Sequence, residues 1–282
     1  MILDVIVLSK DNPSELIFTL HSCVTQSLPL RHSLCIKVVD SSLNLLEISS
    51  IVEKFKMSFR DVQIVLERLY PPTGIYPAMN YALKNSTSDC LIFMNSGDSF
   101  FDDHSLCHLV NEYDKRFKYN SEFRGCFGVT KFSSYSSRLT WTTPPSDPGL
   151  LNRWLGVYYP CHQSILFNTN WARNHLYDAN RSIDADASVI RALTKDSQLF
   201  SFITNTVCIF CLGGGLSSRP MKLRSIFNLL KSPENQHIFT RYLLRYILSP
   251  SFLPFNLLPF WTFLRYYFTI KLLSALRILY GK

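Results

Sequence analysis

A carboxylate stands directly after an apolar segment at Asp98. Residues 90–94 read CLIFM and are followed at once by four small or polar residues, Asn95-Ser96-Gly97-Asp98. A strand that only had to turn could do so with Asn-Gly or Asp-Gly alone. Hard divalent cations prefer oxygen ligands and need only one or two carboxylates when phosphates supply the rest. The pattern predicts a cation- or phosphate-binding role for Asp98, and an Asp that merely caps the turn is the competing interpretation.

The elements that must position Asp98 alternate between strand and helix patterns. Strand patterns cover residues 2–8, 34–40, 61–66 and 89–94, and helix patterns cover residues 13–26, 43–57 and 75–85. This order predicts an α/β fold with a mostly parallel sheet flanked by helices. Ligands of such sheets bind beyond the carboxyl ends of the strands, where Ser9, Asp40 and Asn95 to Asp98 fall. We therefore expect these residues to share one edge, with Asp98 reaching into an open crevice.

The second half of the chain has a different rhythm. Short strand patterns at residues 125–132, 164–167 and 201–211 lie among polar and aromatic loops, and residues 142–149 (TTPPSDPG) form a Pro-rich turn region. The composition changes after Gly213-Gly214-Gly215. We interpret residues 1–220 as one domain and residues 221–282 as a separate tail.

The charge of the chain is concentrated in that tail. The first 220 residues carry 20 basic and 20 acidic side chains, whereas residues 221–282 carry nine basic ones and a single acid, Glu234, which accounts for the net charge of +8. A nucleic-acid-binding protein is not usually partitioned in this way, so we expect no nucleic-acid partner.

The eight cysteines are scattered without regular spacing, which argues against a disulfide framework and favours the reducing cytosol. Cys208-Ile-Phe-Cys211 is a lone CxxC, for which buried structural thiols are a better interpretation than a metal or redox site. The N-terminal residues MILDVIVLSKDNP have no basic lead before a cleavage site, so we expect no secretory signal here.

Several ordered segments resemble the inverting family 2 glycosyltransferases, in particular a bacterial surface-polysaccharide branch with GIYDAMN and LNSGD motifs. The resemblance spans residues 1–220 and implies a GT-A fold, a nucleotide-diphosphate-sugar donor and a divalent cation, Mn²⁺ or Mg²⁺. The segments that carry it are ILDVIVLSKDN (2–12), VVDSS (38–42), GIYPAMN (74–80), MNSGD (94–98), HQSILF (162–167), DADASVIRAL (184–193) and GGGLSS (213–218).

The resemblance assigns roles to residues on the donor side. Asp98 corresponds to the metal-binding acid of a DxD-type motif, and Asp40 to the acid that accepts hydrogen bonds from the nucleotide base. An ordinary helix N-cap at Ser41 or Ser42 is the alternative for the Asp40 segment. The residues implied to contact the nucleotide-sugar are Ser9, Asn12, Asp40, Tyr76, Asn80, Asn95 and Gly97.

An inverting displacement also needs a carboxylate that takes the proton of the acceptor hydroxyl. By resemblance Asp186 is this base, and Asp184 is the second candidate, since acids at i and i+2 do not share a helix face. Both could instead be exposed acids that stabilise the start of a helix. His162 and Gln163 match an HQ pair on the acceptor side of the family's cleft, although a buried, hydrogen-bonded histidine explains His162 equally well.

Two prolines depart from the family pattern. Pro72 and Pro77 stand where that branch has acids in its Glu-x-Asp-x-Gly-Ile-Tyr-Asp segment, so donor contacts of those acids are lost. Pro77 is compatible with the first turn of a helix. The resemblance as a whole implies a glycosyltransferase that adds a sugar, with inversion, to a saccharide or lipid-linked acceptor of cell-surface polysaccharide or lipopolysaccharide synthesis. A catalytically degenerate binding or scaffold subunit at the membrane is the alternative.

The tail combines its basic residues with aromatic and aliphatic ones. His237, Arg241 and Arg245 follow at steps of four residues and predict one stripe of an interfacial amphipathic helix. Residues 246–264 are uncharged, but Pro250, Pro254 and Pro259 interrupt them, which argues against a continuous spanning helix. The pattern favours peripheral attachment to the cytoplasmic face of the membrane, with protein packing, dimerisation and a re-entrant or spanning segment as alternatives.

Overall fold

The computed structural model describes residues 1–134, 137–181 and 185–212. Nine strands are assigned among these residues, together with seven helices and one short 3-10 turn at His162–Ser164. The strands are β1 (Ile2–Ser9), β2 (Ser33–Asp40), β3 (Gln63–Arg68), β4 (Cys90–Asn95), β5 (Ser99–Phe100), β6 (Gly125–Ser134), β7 (Ser137–Thr143), β8 (Ile165–Asn168) and β9 (Phe200–Leu212). The helices are α1 (Pro13–Val24), α2 (Leu45–Ser58), α3 (Ile75–Asn85), α4 (Ser105–Phe117), α5 (Pro148–Val157), α6 (Thr169–Arg173) and α7 (Ala185–Leu193).

The strands form one sheet in the order β3-β2-β1-β4-β8-β6-β9-β5, with β7 paired to β6. The first four strands, β1 to β4, are parallel to one another, as the alternating pattern predicts. β8 runs antiparallel to β4, so the beginning of β8 lies toward the carboxyl end of β4. The predicted α/β fold is confirmed.

The two faces of the sheet bury separate apolar clusters because side chains alternate along each strand. In β1, Val5 and Val7 pack on one face with residues of α1, α2 and α4. Ile6 and Leu8 pack on the other face with residues of α3 and α7. Helices thus cover both faces, and the carboxyl edge of β1 to β4 is left for polar residues.

Helix α3 shows how the sequence starts an element next to this edge. Gly74 precedes it with φ +117°, a left-handed conformation that favours glycine. Pro77 lies in the first turn, where its missing N–H would have had no partner within the helix. The proline therefore leaves the helix intact, as predicted.

The predicted pattern omits several elements of the structure. α4 was not predicted, although its buried Leu106, Leu109, Val110 and Tyr113 recur at helical spacing. β7 and α5 were also not predicted, and they border the Pro-rich segment that was interpreted as a turn region. The other strand and helix predictions agree within about two residues at their ends, the range over which assignments of element ends differ.

Residues 1–131 and 142–210 form one compact unit, within which all the site contacts below lie. Of the remainder, the structure describes the ends of β6 and β9 and most of β7. Phe132 of β6 stacks on Trp141 of β7 with ring centroids 5.3 Å apart. The predicted boundary at residue 220, the GGGLSS segment and the tail at 221–282 lie outside the described residues. Among the residues that are described, no helix has the length and apolar character needed to cross a membrane.

Candidate active site

The carboxyl ends of four parallel strands bring the first group of predicted residues together. In the strand register Ser9 is paired with Asp40, and Asp40 with Arg68. On the other side of β1, Leu8 is paired with Asn95. Ser9, Asp40 and Asn95 therefore share the edge that the sequence predicts. Arg68 also lies at this edge, although the sequence analysis did not select it.

Asp40 is fully buried at this edge. Its carboxylate accepts hydrogen bonds from the Ser42 backbone N–H at 3.2 Å and from Ser42 Oγ at 2.6 Å. Arg68 Nη1 lies 3.6 Å from Asp40 Oδ2. The N-cap of α2 is Asn44, so Ser42 orients Asp40 and does not cap the helix as the alternative interpretation supposed.

Buried polar atoms without hydrogen bonds are concentrated here. Of seven such side-chain atoms in the described part of the chain, three lie at the ends of β1, β3 and β4. They are Ser9 Oγ, Arg68 Nη1 and Asn95 Oδ1. A buried polar group without a hydrogen bond costs about 1–3 kcal/mol, and a polar ligand bound at this edge would offset that cost.

Asp98 follows β4 after a tight turn whose conformation Gly97 makes possible. Gly97 has φ +95°, and a Cβ at this position would lie 3.2 Å from the carboxyl group of Glu15. Thr19 of α1 secures the turn, because its hydroxyl accepts from the Gly97 N–H at 2.9 Å and donates to the Asp98 carbonyl at 2.7 Å. Gly97 and Thr19 thus fix the backbone that carries the carboxylate.

The Asp98 side chain is more enclosed than predicted. The residue is 5% exposed, and Gln163 Nε2 donates to Asp98 Oδ2 at 2.6 Å. The expectation of an open crevice around Asp98 is therefore wrong, because the turn before β8 lies against this carboxylate. Gln163 is thus one of the partners of this carboxylate.

The donor set at this point fits a hard divalent cation that also binds phosphates. Asp98 supplies a carboxylate. Three residues earlier in the chain, Asn95 supplies a buried amide oxygen, Oδ1, that has no hydrogen bond. Within residues 1–134, 137–181 and 185–212, no three His, Cys, Asp or Glu side chains form a cluster that could hold a metal. Both oxygens, those of Asp98 and Asn95, are of the kind that hard cations prefer.

A second carboxylate, Asp186, lies in the first turn of α7. Its Oδ1 accepts a hydrogen bond from the Tyr76 hydroxyl at 3.2 Å, and its Oδ2 lies 3.6 Å from His162 Nδ1. Burial favours the neutral form of Asp186, but the contact with His162 and the Tyr76 hydroxyl outweigh it and lower the pKa of this carboxyl. Asp186 is therefore held ionised, and its side chain retains 18% exposure.

His162 and Tyr76, the two partners of the Asp186 carboxylate, have further surroundings of their own. His162 Nε2 is buried without a hydrogen bond. The Tyr76 ring stacks on Tyr177 with centroids 5.8 Å apart. Burial, followed by the charge of Asp186, raises the pKa of Tyr177, so this phenol stays neutral. The predicted donor residue Tyr76 thus contacts the predicted base.

Asn12 and Asn80, both predicted to contact the donor, have hydrogen-bond partners within the chain. Asn12 caps α1, with Oδ1 accepting from the Glu15 N–H at 3.4 Å. The Asn80 amide is used at both ends, donating to the Tyr177 carbonyl at 2.8 Å and accepting from the Tyr177 N–H at 2.9 Å. Asp184, the second candidate base, lies outside the described residues.

Sequence reasoning missed Thr19 and Arg68. Thr19 is an unremarkable residue in an amphipathic helix, and nothing local reveals that its hydroxyl binds a turn 78 residues away. Arg68 ends the strand adjacent to Asp40, so the strand-end argument that selected Asp40 could have found it. Free thiols are found at Cys23, Cys35, Cys90, Cys107, Cys126, Cys161 and Cys208. Cys208 of the CxxC lies buried in β9.

Comparison with solved structures shows the fold. The fragment of S. aureus TarS comprising residues 1–349, in complex with UDP, matches with a TM-score of 0.59 and 16% identity, covering 89% of this chain and 73% of that one. A mannosyltransferase from Pyrobaculum calidifontis, in complex with GDP-Man and Mn²⁺, matches with a TM-score of 0.58 and 14% identity, covering 91% and 73%. Against the longer S. aureus TarS chain the TM-score is 0.57 at 16% identity, and the match covers 89% of this chain but 43% of that one.

The family is shown at the level of sequence. No curated protein matches the chain. The family model for glycosyl transferase family 2 matches residues 4–176, which include most of β1, all of β2 to β4, Asp98 and the His162-Gln163 pair. The GT-A fold predicted from the resemblance agrees with this match and with the solved structures. The chain belongs to glycosyl transferase family 2.

Proposed function

We propose that the chain transfers a sugar, with inversion at the anomeric carbon, from a nucleotide-diphosphate sugar to a saccharide or lipid-linked acceptor. The product belongs to cell-surface polysaccharide or lipopolysaccharide synthesis. The observation that carries the proposal is that the carboxylates of Asp98 and Asp186 are held by adjacent residues, Gln163 and His162, next to an edge with unsatisfied polar atoms.

The nucleotide end of the donor binds at the ends of β1, β2 and β3. Asp40 accepts hydrogen bonds from the base, and the donor supplies hydrogen bonds to Ser9 Oγ and Arg68 Nη1, which make none within the described residues. The bound UDP and UDP-GlcNAc in solved TarS structures, and GDP-Man in the mannosyltransferase, support a donor of this class. Arg68 matters for affinity because a guanidinium is well suited to phosphate or to polar edges of a base.

Asp98, with Asn95 Oδ1, would hold Mn²⁺ or Mg²⁺ against the donor's phosphates. When bound, the ion supplies Lewis-acid neutralisation of the charge that develops on the departing nucleoside diphosphate. The Mn²⁺ in the mannosyltransferase complex supports use of a divalent cation in this fold. The Thr19 hydroxyl and Gly97 keep the carboxylate at the end of β4.

Asp186 is the general base. An acceptor hydroxyl that hydrogen-bonds to this carboxylate loses its proton to it while the oxygen attacks the anomeric carbon, and attack from the side opposite the leaving group inverts that carbon. His162 and Tyr76 keep the carboxylate ionised and fixed in orientation. The partial exposure of Asp186 leaves room for an acceptor to approach it.

The tail at residues 221–282 attaches the enzyme to the cytoplasmic face of the membrane. Its support is compositional, because nine basic residues against one acid stand among aromatic and aliphatic side chains. Each Lys or Arg near an anionic lipid surface contributes about 1 kcal/mol. Attachment would keep the active site next to lipid-linked acceptors.

The test is a binding screen with UDP-, GDP- and dTDP-sugars, with and without Mn²⁺, read by thermal shift and by donor hydrolysis. We expect one nucleotide class to stabilise the protein in a Mn²⁺-dependent manner and the Asp98→Ala variant to lose that dependence. Asp103→Ala, which changes an acid of the neighbouring loop, is the matched control. Unchanged Mn²⁺-dependent binding by Asp98→Ala would remove the metal role, and no binding of any nucleotide would favour the scaffold alternative.

A further inference from the structure

The 3-10 turn at His162–Ser164 is fixed by its own hydrogen bonds. Ser164 donates to the Cys161 carbonyl twice, from its N–H at 3.0 Å and from Oγ at 2.8 Å. Gln163 and Ser164 are completely buried. Since β8 follows immediately, the turn is anchored to the central sheet at the carboxyl end of β4.

The Gln163 amide has both of its ends assigned. Cys161 Sγ donates to Gln163 Oε1, and Gln163 Nε2 donates to Asp98 Oδ2. Reversing the amide would turn its oxygen toward the Asp98 carboxylate, so that two acceptors would face each other and the contact with Asp98 would be lost. Cys161 is suited to this static role because burial raises the pKa of its thiol well above the ordinary value, so it remains a hydrogen donor.

The neighbouring residue of the same turn contacts the other carboxylate, since His162 Nδ1 lies 3.6 Å from Asp186 Oδ2. Two consecutive residues therefore contact the two acids that sugar transfer requires. The same turn thus links the side chain of Asp98 to that of Asp186.

We propose that Gln163 is a positioning residue that sets the Asp98 carboxylate for the divalent cation and that its turn fixes Asp98 relative to Asp186. This inference rests on the proposed function, because it takes Asp98 as the cation ligand and Asp186 as the base. Partners that orient a metal-binding carboxylate commonly contribute 10–100-fold to metal affinity. The sequence predicts that Gln163 lies on the acceptor side, whereas this proposal assigns it to the donor side.

The experiment measures the Mn²⁺ concentration that gives half-maximal binding of a nucleoside diphosphate. The probe is UDP, GDP or dTDP, whichever the screen finds to bind. We expect Gln163→Leu to raise the half-maximal Mn²⁺ concentration about 10–100-fold. Gln26→Leu is the matched control, because Gln26 is also a buried glutamine whose amide is used at both ends, by the Asp102 carbonyl and the Leu106 N–H. We expect this control to lower the melting temperature without changing the Mn²⁺ requirement.

A second pair of variants covers the case in which Gln163→Leu does not fold. Cys161→Ser keeps a hydrogen donor toward Gln163 Oε1, whereas Cys161→Ala removes it. We expect the serine variant to bind Mn²⁺ as the unmodified protein does and the alanine variant to bind it more weakly.

Two results would overturn the inference and leave the proposed function standing. An unchanged Mn²⁺ requirement in folded Gln163→Leu and in Cys161→Ala would show that Asp98 needs no support from the turn. Tighter Mn²⁺ binding would show that Gln163 competes with the ion. If the unmodified protein binds nucleotide without Mn²⁺, the metal role of Asp98 fails first and the inference fails with it.

Discussion

Replacing Asp186 by asparagine removes the proposed base with little change of shape. Asn retains an oxygen that can accept from the Tyr76 hydroxyl, now at 3.2 Å, but it cannot take a proton. General-base catalysis contributes about 10²–10⁴-fold, which at about 1.36 kcal/mol per factor of ten is about 2.7–5.4 kcal/mol of barrier. We therefore expect kcat to fall about 10²–10⁴-fold, while the dissociation constant of the donor changes little.

The assay is the initial rate of nucleoside diphosphate release from the donor, together with a separate donor titration. Asp178→Asn is the matched control, because Asp178 is a surface acid paired with Arg181 at 3.2 Å and lies outside the site. The melting temperatures of both variants show whether loss of the His162 contact has unfolded the site. A folded Asp186→Asn variant that turns over at the unmodified rate would refute this assignment of the base and make Asp184 the candidate.

The remaining predictions concern the base, the metal turn and the tail. His162→Gln should move the acidic limb of the pH profile of kcat to higher pH. The contact with His162 lowers the pKa of Asp186, so removing it lets burial raise that pKa. An acidic limb that stays in place would contradict the assignment of this pair. Thr19→Val should lower the free energy of unfolding by about 1–3 kcal/mol, because it removes the hydroxyl that bonds to the turn before Asp98. Urea denaturation measures this change, and a change within about 0.5 kcal/mol of zero would show that the contact is dispensable. Truncation after residue 220 should move the protein from the membrane pellet to the supernatant, whereas continued pelleting would reject attachment through the tail.

The strand ends were predictable because they depend on local pattern and a general property of parallel sheets. Each apolar run ends where Ser9, Asp40 or Asn95 begins the polar segment, and the parallel register then brings these ends together. The first turn of α3 was predictable for a similar reason, since Pro77 is compatible with an N-terminal helix position. These features require no knowledge of which distant residues meet.

The contacts between the acids and their partners were not predictable in this way. Tyr76 and Asp186 are 110 residues apart, and Gln163 and Asp98 are 65 apart. Gln163 and Asp98 meet because β8 runs antiparallel beside β4, and a strand as short as β8 has too few residues for its direction or its neighbour to be predicted. Tyr76 and Asp186 lie on α3 and α7, and nothing in either segment indicates that these two helices pack on the same face of the sheet. The pairing of β4 with β8 also encloses Asp98, because it brings the turn before β8 against this carboxylate. Since the pairing could not be predicted, the sequence suggested an open crevice.

Crystals grown with Mn²⁺ and the nucleoside diphosphate found in the screen give the most direct test of the account. Anomalous scattering should locate Mn²⁺ about 2 Å from a carboxylate oxygen of Asp98, with the base of the nucleotide next to Asp40 and the phosphates on the side of Asp186. An anomalous peak away from Asp98, or a nucleotide bound at another part of the chain, would contradict it.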